Sequence, residues 1–149
     1  MRILGLMSTR KISCTETCTA ETAAILLDGI ACGVLPVLNG ESSQVVGVIT
    51  ERSLCKMVLS AGLDPEKTLA SDCLDDTPAV CNSEDDVRKV LLETAKSLSR
   101  GAVVVNGSNE LLGVVSLSSL AIHMATAAQE LYGALEKVNR KSSAAGRLA

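Results

Sequence analysis

Thr50 and Ser116 are the residues of this chain best placed to do chemistry. Thr50 lies in Gly47-Val48-Ile49-Thr50-Glu51-Arg52-Ser53, and Ser116 in Gly113-Val114-Val115-Ser116-Leu117-Ser118-Ser119. In each segment an apolar strand-like run gives way to a helix-like one at the hydroxyl residue. A helix N-terminus carries unpaired N–H groups and favours an anion, and a hydroxyl beside it can donate to a phosphate or a ribose. Arg52 adds a cation able to reach a phosphate, or to sit solvated at the surface. Thr50 and Ser116 fit equally well as plain N-caps, worth about 1 kcal/mol each. Both readings stand at this point.

Little else has the makings of an active site. His123 is the sole histidine, and nothing near it in sequence orients it. No Ser-His-Asp or Cys-His pairing and no phosphate-cradling glycine loop is evident, so catalysis is not expected. Asp75-Asp76 and the run Glu84-Asp85-Asp86 sit at a turn and at a helix start, where capping and dipole compensation account for them. Cys14 and Cys18 are too loosely spaced to suggest zinc without a C-x-x-C pair, and no metal site is expected.

The two hydroxyl turns belong to a duplicated unit. VVGVITERSLCKMVLSA (Val45–Ala61) and LGVVSLSSLAIHMATA (Leu112–Ala127) share one pattern, and Cys14 stands to Cys81 at nearly the separation of Thr50 from Ser116. Such self-similarity marks a repeated supersecondary unit, and a cleft between repeated halves is a natural ligand site. In the first copy the patterning predicts a short strand at Ile12–Cys14 and a helix with Ala20, Ala23, Ala24 and Leu27 on one face, ended by Gly33. Strands follow at Val34–Leu38 and Val45–Ile49, and then a helix with Leu54, Met57, Val58 and Ala61 on its stripe. The second copy repeats the order. A helix carries Val87, Val90, Leu91, Thr94 and Leu98 on one face, with Gly101 ending it, followed by strands at Ala102–Val105 and Leu111–Val115. The last helix continues its stripe through Leu120, Met124, Ala127, Leu131, Leu135 and Val138, and the tail Lys141–Ala149 is expected to fray.

Composition narrows the partners. The chain has 149 residues and is 47% apolar but 1% aromatic, with Tyr132 alone and no Trp or Phe. Aromatic stacking on single-stranded nucleic acid is therefore not available, and a net charge of −3 without a basic block argues against a phosphate-backbone partner. No run approaches the length of a membrane span and no signal peptide opens the chain, so no membrane partner and a soluble, cytoplasmic protein are expected. The six cysteines read mainly as small apolar fillers in a reducing compartment, with exposed thiols open at Cys14, Cys18 and Cys73.

The repeat order, the two turns GVITERSL and GVVSLSSL, and the connector GLDPEKTLASDCLDDTPAV (Gly62–Val80) resemble a tandem CBS-domain pair, or Bateman module. The Leu131-Tyr132-Gly133-Ala134-Leu135 stretch adds a likeness to the CBS pairs of CBS/PB1-domain proteins. The resemblance implies an α/β (α+β) fold of two β-α-β-β-α repeats packed pseudo-symmetrically through their sheets, with an extended C-terminal helix. It divides the chain into a first repeat with its lead-in (1–63), a connector (64–76), a second repeat (77–128) and a helical extension with its tail (129–149). It implies a non-catalytic sensory module, a homodimer signalling to an unknown protein partner, and binding of AMP, ADP, ATP or another adenosyl ligand. The alternative is a ligand-free interaction module acting through dimerisation and its C-terminal helix.

Carried onto this sequence, the family's turn places Thr50 and Ser116 at its hydroxyl position and Ser53 and Ser119 where the family has an Asp. A carboxylate can accept from both hydroxyls of a ribose. Its replacement by Ser removes a charge-assisted bond of about 1.5–3 kcal/mol. The remaining implied contacts fall on Ile12, Ser13, Leu35, Pro36, Thr77, Ala79, Val80 and Val104, largely through backbone groups.

Overall fold

The computed structural model describes residues 2–148, with side chains described through Ser143. The first repeat comprises β1 (Cys14–Thr15), α1 (Ala20–Asp28), β2 (Val34–Leu38), β3 (Val45–Thr50) and α2 (Glu51–Leu54), which runs on as a π-helical turn over Cys55–Leu59. The second comprises β4 (Val80–Asn82), α3 (Val87–Lys96), β5 (Gly101–Val105), β6 (Leu111–Ser116) and α4 (Leu117–Leu148). Each repeat thus has the order strand, helix, strand, strand, helix, the mixed α/β architecture of a CBS pair. Each sheet joins a parallel and an antiparallel pairing, β1-β2-β3 and β4-β5-β6. The register even shifts at the matching place, Val37/Leu38 in one and Val104/Val105 in the other.

The sheets face each other across β5. Its period-two alternation sends Ala102 and Val104 into the core beneath α3 and α4, and Val103 and Val105 into the core of the first repeat. Both faces of the strand are therefore buried, which is why it reads as an unbroken apolar run. With its one aromatic, Tyr132, exposed, the interior is filled by Val, Ile, Leu, Ala and Cys.

Segments outside the repeats are exchanged. The lead-in joins the second repeat: Ile3 is buried in its core, and the Ser8 N–H and carbonyl pair with the Val114 carbonyl and N–H at 2.8 and 3.1 Å. The connector joins the first repeat, where the Ala70 N–H donates to the Cys18 carbonyl (2.7 Å), the Asp75 N–H donates to the Val48 carbonyl (2.8 Å), and Cys73 is fully buried.

Several local expectations change. The first strand is shorter and later than Ile12–Cys14. Helix α1 ends at Asp28 on Gly29, and Gly33, at φ +68°, instead turns the chain into β2. Ala24 and Ala61 are exposed. Helix α3 stops at Lys96, and Leu98 leaves it at φ 54° with its side chain in solvent, so Leu98 is not on the buried face. Gly101 opens β5 rather than closing the helix. Cys14 and Cys73 are buried, and the exposed thiol is Cys55. Helix α4 is continuous to Leu148 where fraying was expected from Lys141; Ala149 and the side chains of 144–149 lie outside the described residues. Leu120 on α4 is buried, whereas Leu131, Tyr132, Leu135 and Val138 are 53–67% exposed, so the helix projects beyond the body.

Candidate functional site: two unequal clefts

The duplicated turns open onto two clefts related by the repeat, and the clefts differ in chemistry. Cleft one is a cavity of about 250 Å³. Its apolar walls come from Leu6, Ile12, Ile30 and Val114, and its polar groups from Ser8, Arg10, Ser116 and Ser119. Both repeats and the lead-in therefore contribute. Cleft two, about 220 Å³, is lined by Thr50, Glu51, Arg52, Asp75 and Arg100, with Gly33, Leu98 and Ser99.

In cleft two the turn is closed on itself. Thr50 caps α2 by accepting from the Ser53 N–H at 3.0 Å, and the Ser53 hydroxyl accepts from the Thr50 N–H at 2.9 Å, a reciprocal capping box. The Thr50 hydroxyl donates its proton to Asp75 Oδ2 at 2.9 Å. Thr50 is 8% and Ser53 3% exposed. Arg100 lies over Gly33 and pairs with Glu51 at 2.7 Å, joining the two repeats across the mouth. Every strong polar group except Arg52 thus has a partner within the protein.

In cleft one the equivalent hydroxyls stay accessible. Ser116 accepts from the Ser119 N–H at 3.0 Å and donates to the Ser119 hydroxyl at 2.7 Å, leaving Ser116 half-buried and Ser119 exposed. Ser8 occupies the place that Asp75 holds in cleft two, and a serine brings no carboxylate to engage Ser116.

The structure therefore gathers Ile12, Ser116 and Ser119 at cleft one, and Thr50 with Arg52 at cleft two. Arg52, Ser53 and Thr77 also border a neighbouring recess beside the Lys56–Asp76 ion pair. Ser13, Leu35, Pro36 and Val104 line neither cleft; Leu35 and Val104 are fully buried in the two cores. Ala79 and Val80 border a separate recess of about 50 Å³ against α3. Ser8, Arg10, Asp75 and Arg100 were not foreseen as site residues. Running the repeat alignment outward from the turns pairs Ser8 with Asp75 and Gly33 with Arg100, but does not mark any of them as lining a cleft.

The acidic runs are structural. Asp75 Oδ1 accepts from the Thr77 N–H (2.9 Å), Asp86 caps α3, and Glu84 pairs with Arg2. His123 is half-buried on α4. Among the described residues no group of three or more His, Cys, Asp or Glu is arranged to hold a metal, and no helix is long and apolar enough to cross a membrane.

Two facing sheets, each from a β-α-β-β-α unit and each presenting a strand-to-helix turn to its own cleft, define a tandem-repeat module. The CBS domain model matches residues 3–60 and 70–126, and the chain belongs to that family. It is 24% identical over 109 residues to an uncharacterised protein of Methanopyrus kandleri, covering 73% of this chain and 55% of the relative; the chain thus spans about half the length of the curated relative it matches. Among solved structures, Hypoxic Response Protein I, described with two coordinated zinc ions, superposes with a TM-score of 0.72 at 21% identity, over 83% of this chain and 98% of that one. The CBS domain pair of protein MJ0100, in complex with 5′-methylthioadenosine and S-adenosyl-L-methionine, gives 0.68 at 17% identity, over 85% and 97%. These likenesses show the shared fold.

Proposed function

We propose that this chain is a non-catalytic regulatory module that takes an adenosyl ligand in cleft one and passes its occupancy to a partner chain. The observation that carries the reading is the accessible hydroxyl pair Ser116 and Ser119 beside an apolar slot built from both repeats. A ligand there would touch Ile12 and Ile30 of the first repeat and Val114 and Ser116 of the second. It would favour whichever arrangement of the repeats closes on it, and so shift that equilibrium. The adenosyl compounds bound by the MJ0100 pair support the ligand class. Exposed Ile25 and Leu59 on one repeat, and Leu92 and Ile122 on the other, support a homodimer. The unpaired state of all six cysteines supports a reducing, cytoplasmic setting.

Isothermal titration of the protein with AMP, ADP, ATP and S-adenosylmethionine tests the reading. Saturable binding that Ser116→Ala weakens is the expected result. Absence of binding across the panel at millimolar concentration would overturn it.

A second reading rests on α4. Leu131, Tyr132, Leu135 and Val138 form an apolar stripe with no covering element among the described residues, as an interaction module would need. Removing residues 131–149 should then alter oligomeric state or partner capture; an unchanged state in both respects removes this reading.

A further inference from the structure

We infer that the projecting end of α4 docks on a second copy of this chain, in an open groove between α1 and α2 of that copy's first repeat. Reciprocal exchange of the two helices closes a dimer. The inference rests on the second reading of α4, as an interaction surface, and names its occupant; it does not depend on a ligand in either cleft.

The groove exists because the two repeats differ in side-chain size. It holds about 430 Å³ and is lined by Ala20, Ala24 and Leu27 of α1 and by Leu54, Val58 and Leu59 of α2 and its π-helical turn. In the second repeat Val87 and Leu91 stand where the first has Ala20 and Ala24, and Leu120 and Met124 stand where it has Leu54 and Val58. Those four larger residues lie in the second core or pack against it. The two alanines leave α1 and α2 without that filling, and Ala24 and Leu59 are exposed. An unfilled apolar groove between two helices can seat a third.

Helix α4 carries the matching pattern. Leu131, Leu135 and Val138 lie at i, i+4 and i+7 on one face, all exposed, which is the anchor spacing of a helix laid in a groove. The helix runs unbroken from Leu117 to Leu148 and packs on α3, β5 and β6 of its own repeat. Its projecting end therefore cannot fold back onto the first repeat of the same chain, and the groove must take it from another molecule.

Charge makes that molecule a second copy. Glu21, Asp28 and Glu51 edge the groove, and no cation lines it. Glu51 is held by Arg100 and nearby Lys56 by Asp76, whereas Glu21 and Asp28 form no ion pair with any described residue. On α4 the acids Glu130 and Glu136 precede Lys137, Arg140 and Lys141, and no acid follows them. These three cations are also without an ion pair among the described residues. Lys137 and Lys141, one turn apart, flank the stripe. An acidic-edged groove and a basic-edged apolar helix on one chain are complementary to each other in two copies.

Sedimentation of the full chain and of variants altered at exposed positions tests the inference. A dimer is expected. Leu131→Asp/Leu135→Asp on the helix should weaken it roughly tenfold or more, and so should Leu59→Asp or Ala24→Leu in the groove. Lys137→Glu/Lys141→Glu should weaken it as well, and adding Glu21→Lys/Asp28→Lys should recover part of the loss. Cys55 also lines the groove, so a thiol reagent should label it more slowly in the dimer than in the Leu131→Asp/Leu135→Asp variant. A chain that stays monomeric at millimolar concentration would overturn the inference. So would a dimer that both groove substitutions leave intact; if the helix substitutions weaken that dimer, α4 remains an interaction surface and only its seat is wrong.

Discussion

Ser8 and Asp75 are equivalent residues in the two halves of the molecule: each donates its N–H, at 2.8 Å, to the carbonyl of a strand residue just before a strand-to-helix turn, Val114 for Ser8 and Val48 for Asp75. One is a hydroxyl and the other a carboxylate, and that difference decides which turn stays open. Asp75 engages the Thr50 hydroxyl and removes it from the cleft, while Ser8 leaves Ser116 to its own turn. Duplication gave two clefts, and single side chains made them unequal.

Exchanging these residues should exchange their effects. Asp75→Ser removes the carboxylate that accepts from Thr50 and from the Thr77 N–H, and is expected to destabilise the fold by about 1–2 kcal/mol in urea denaturation. Ser8→Asp places a carboxylate beside Arg10, and should lower AMP affinity by roughly tenfold, about 1.4 kcal/mol, with little change in the denaturation midpoint.

The seating of the lead-in depends on Gly113. A Cβ there would collide with the Ser8 carbonyl oxygen, a backbone atom held in place by its bond from the Val114 N–H. Gly113→Ala should therefore push the lead-in off β6, destabilise the protein by about 1–3 kcal/mol, and impair cleft one. Gly107, in the turn between β5 and β6, has nothing within 4 Å of the same added atom. Gly107→Ala should stay within about 0.5 kcal/mol of the wild type. Thermal or urea denaturation of the pair separates steric contact from the general loss of a glycine.

The buried cysteines predict an alkaline limit to stability. Burial, with the neighbouring Cys18 adding to it, pushes the Cys14 thiol up to about 12, and burial with Asp85 nearby does the same at Cys81. Both groups ordinarily ionise near 9.0. Between these values the unfolded chain has released protons that the folded chain retains, so stability falls as pH rises. The contribution is intact below pH 9 and drains away between pH 9 and about 12. Urea midpoints measured from pH 8 to 10.5 should decline less steeply in a Cys14→Ala/Cys81→Ala variant than in the wild type. At neutral pH a thiol reagent should modify Cys55 first and leave Cys14 and Cys81 untouched until unfolding.

Much of this arrangement was legible in the sequence because period and duplication carry it. The β2 run Val34–Leu38 matches the strand to the residue, since an apolar stretch bounded by turn residues reads as a buried strand, and it is the central strand of its sheet despite Pro36. The α4 stripe was found as well, although only its first part is buried. Helix ends were harder. Gly33 and Gly101 looked like stops, but α1 and α3 end earlier, on Gly29 and Ser97, both in right-handed backbone that any residue adopts. The site was legible at its turns and not at its walls. Ser8 and Arg10 come from a segment that crosses to the other repeat, and no local pattern announces a long-range pairing. The engagement of Thr50 by Asp75, 25 residues away in sequence, is of the same kind.

The most direct test of the central claim is to locate the ligand. Titration of isotope-labelled protein with AMP, followed through its backbone amides, should shift Ser8, Ile12, Ile30, Val114, Ser116 and Ser119 together, and leave Thr50, Ser53 and Arg100 in place. Shifts confined to Thr50, Arg100 and their neighbours, or no shifts at millimolar AMP, would contradict the account.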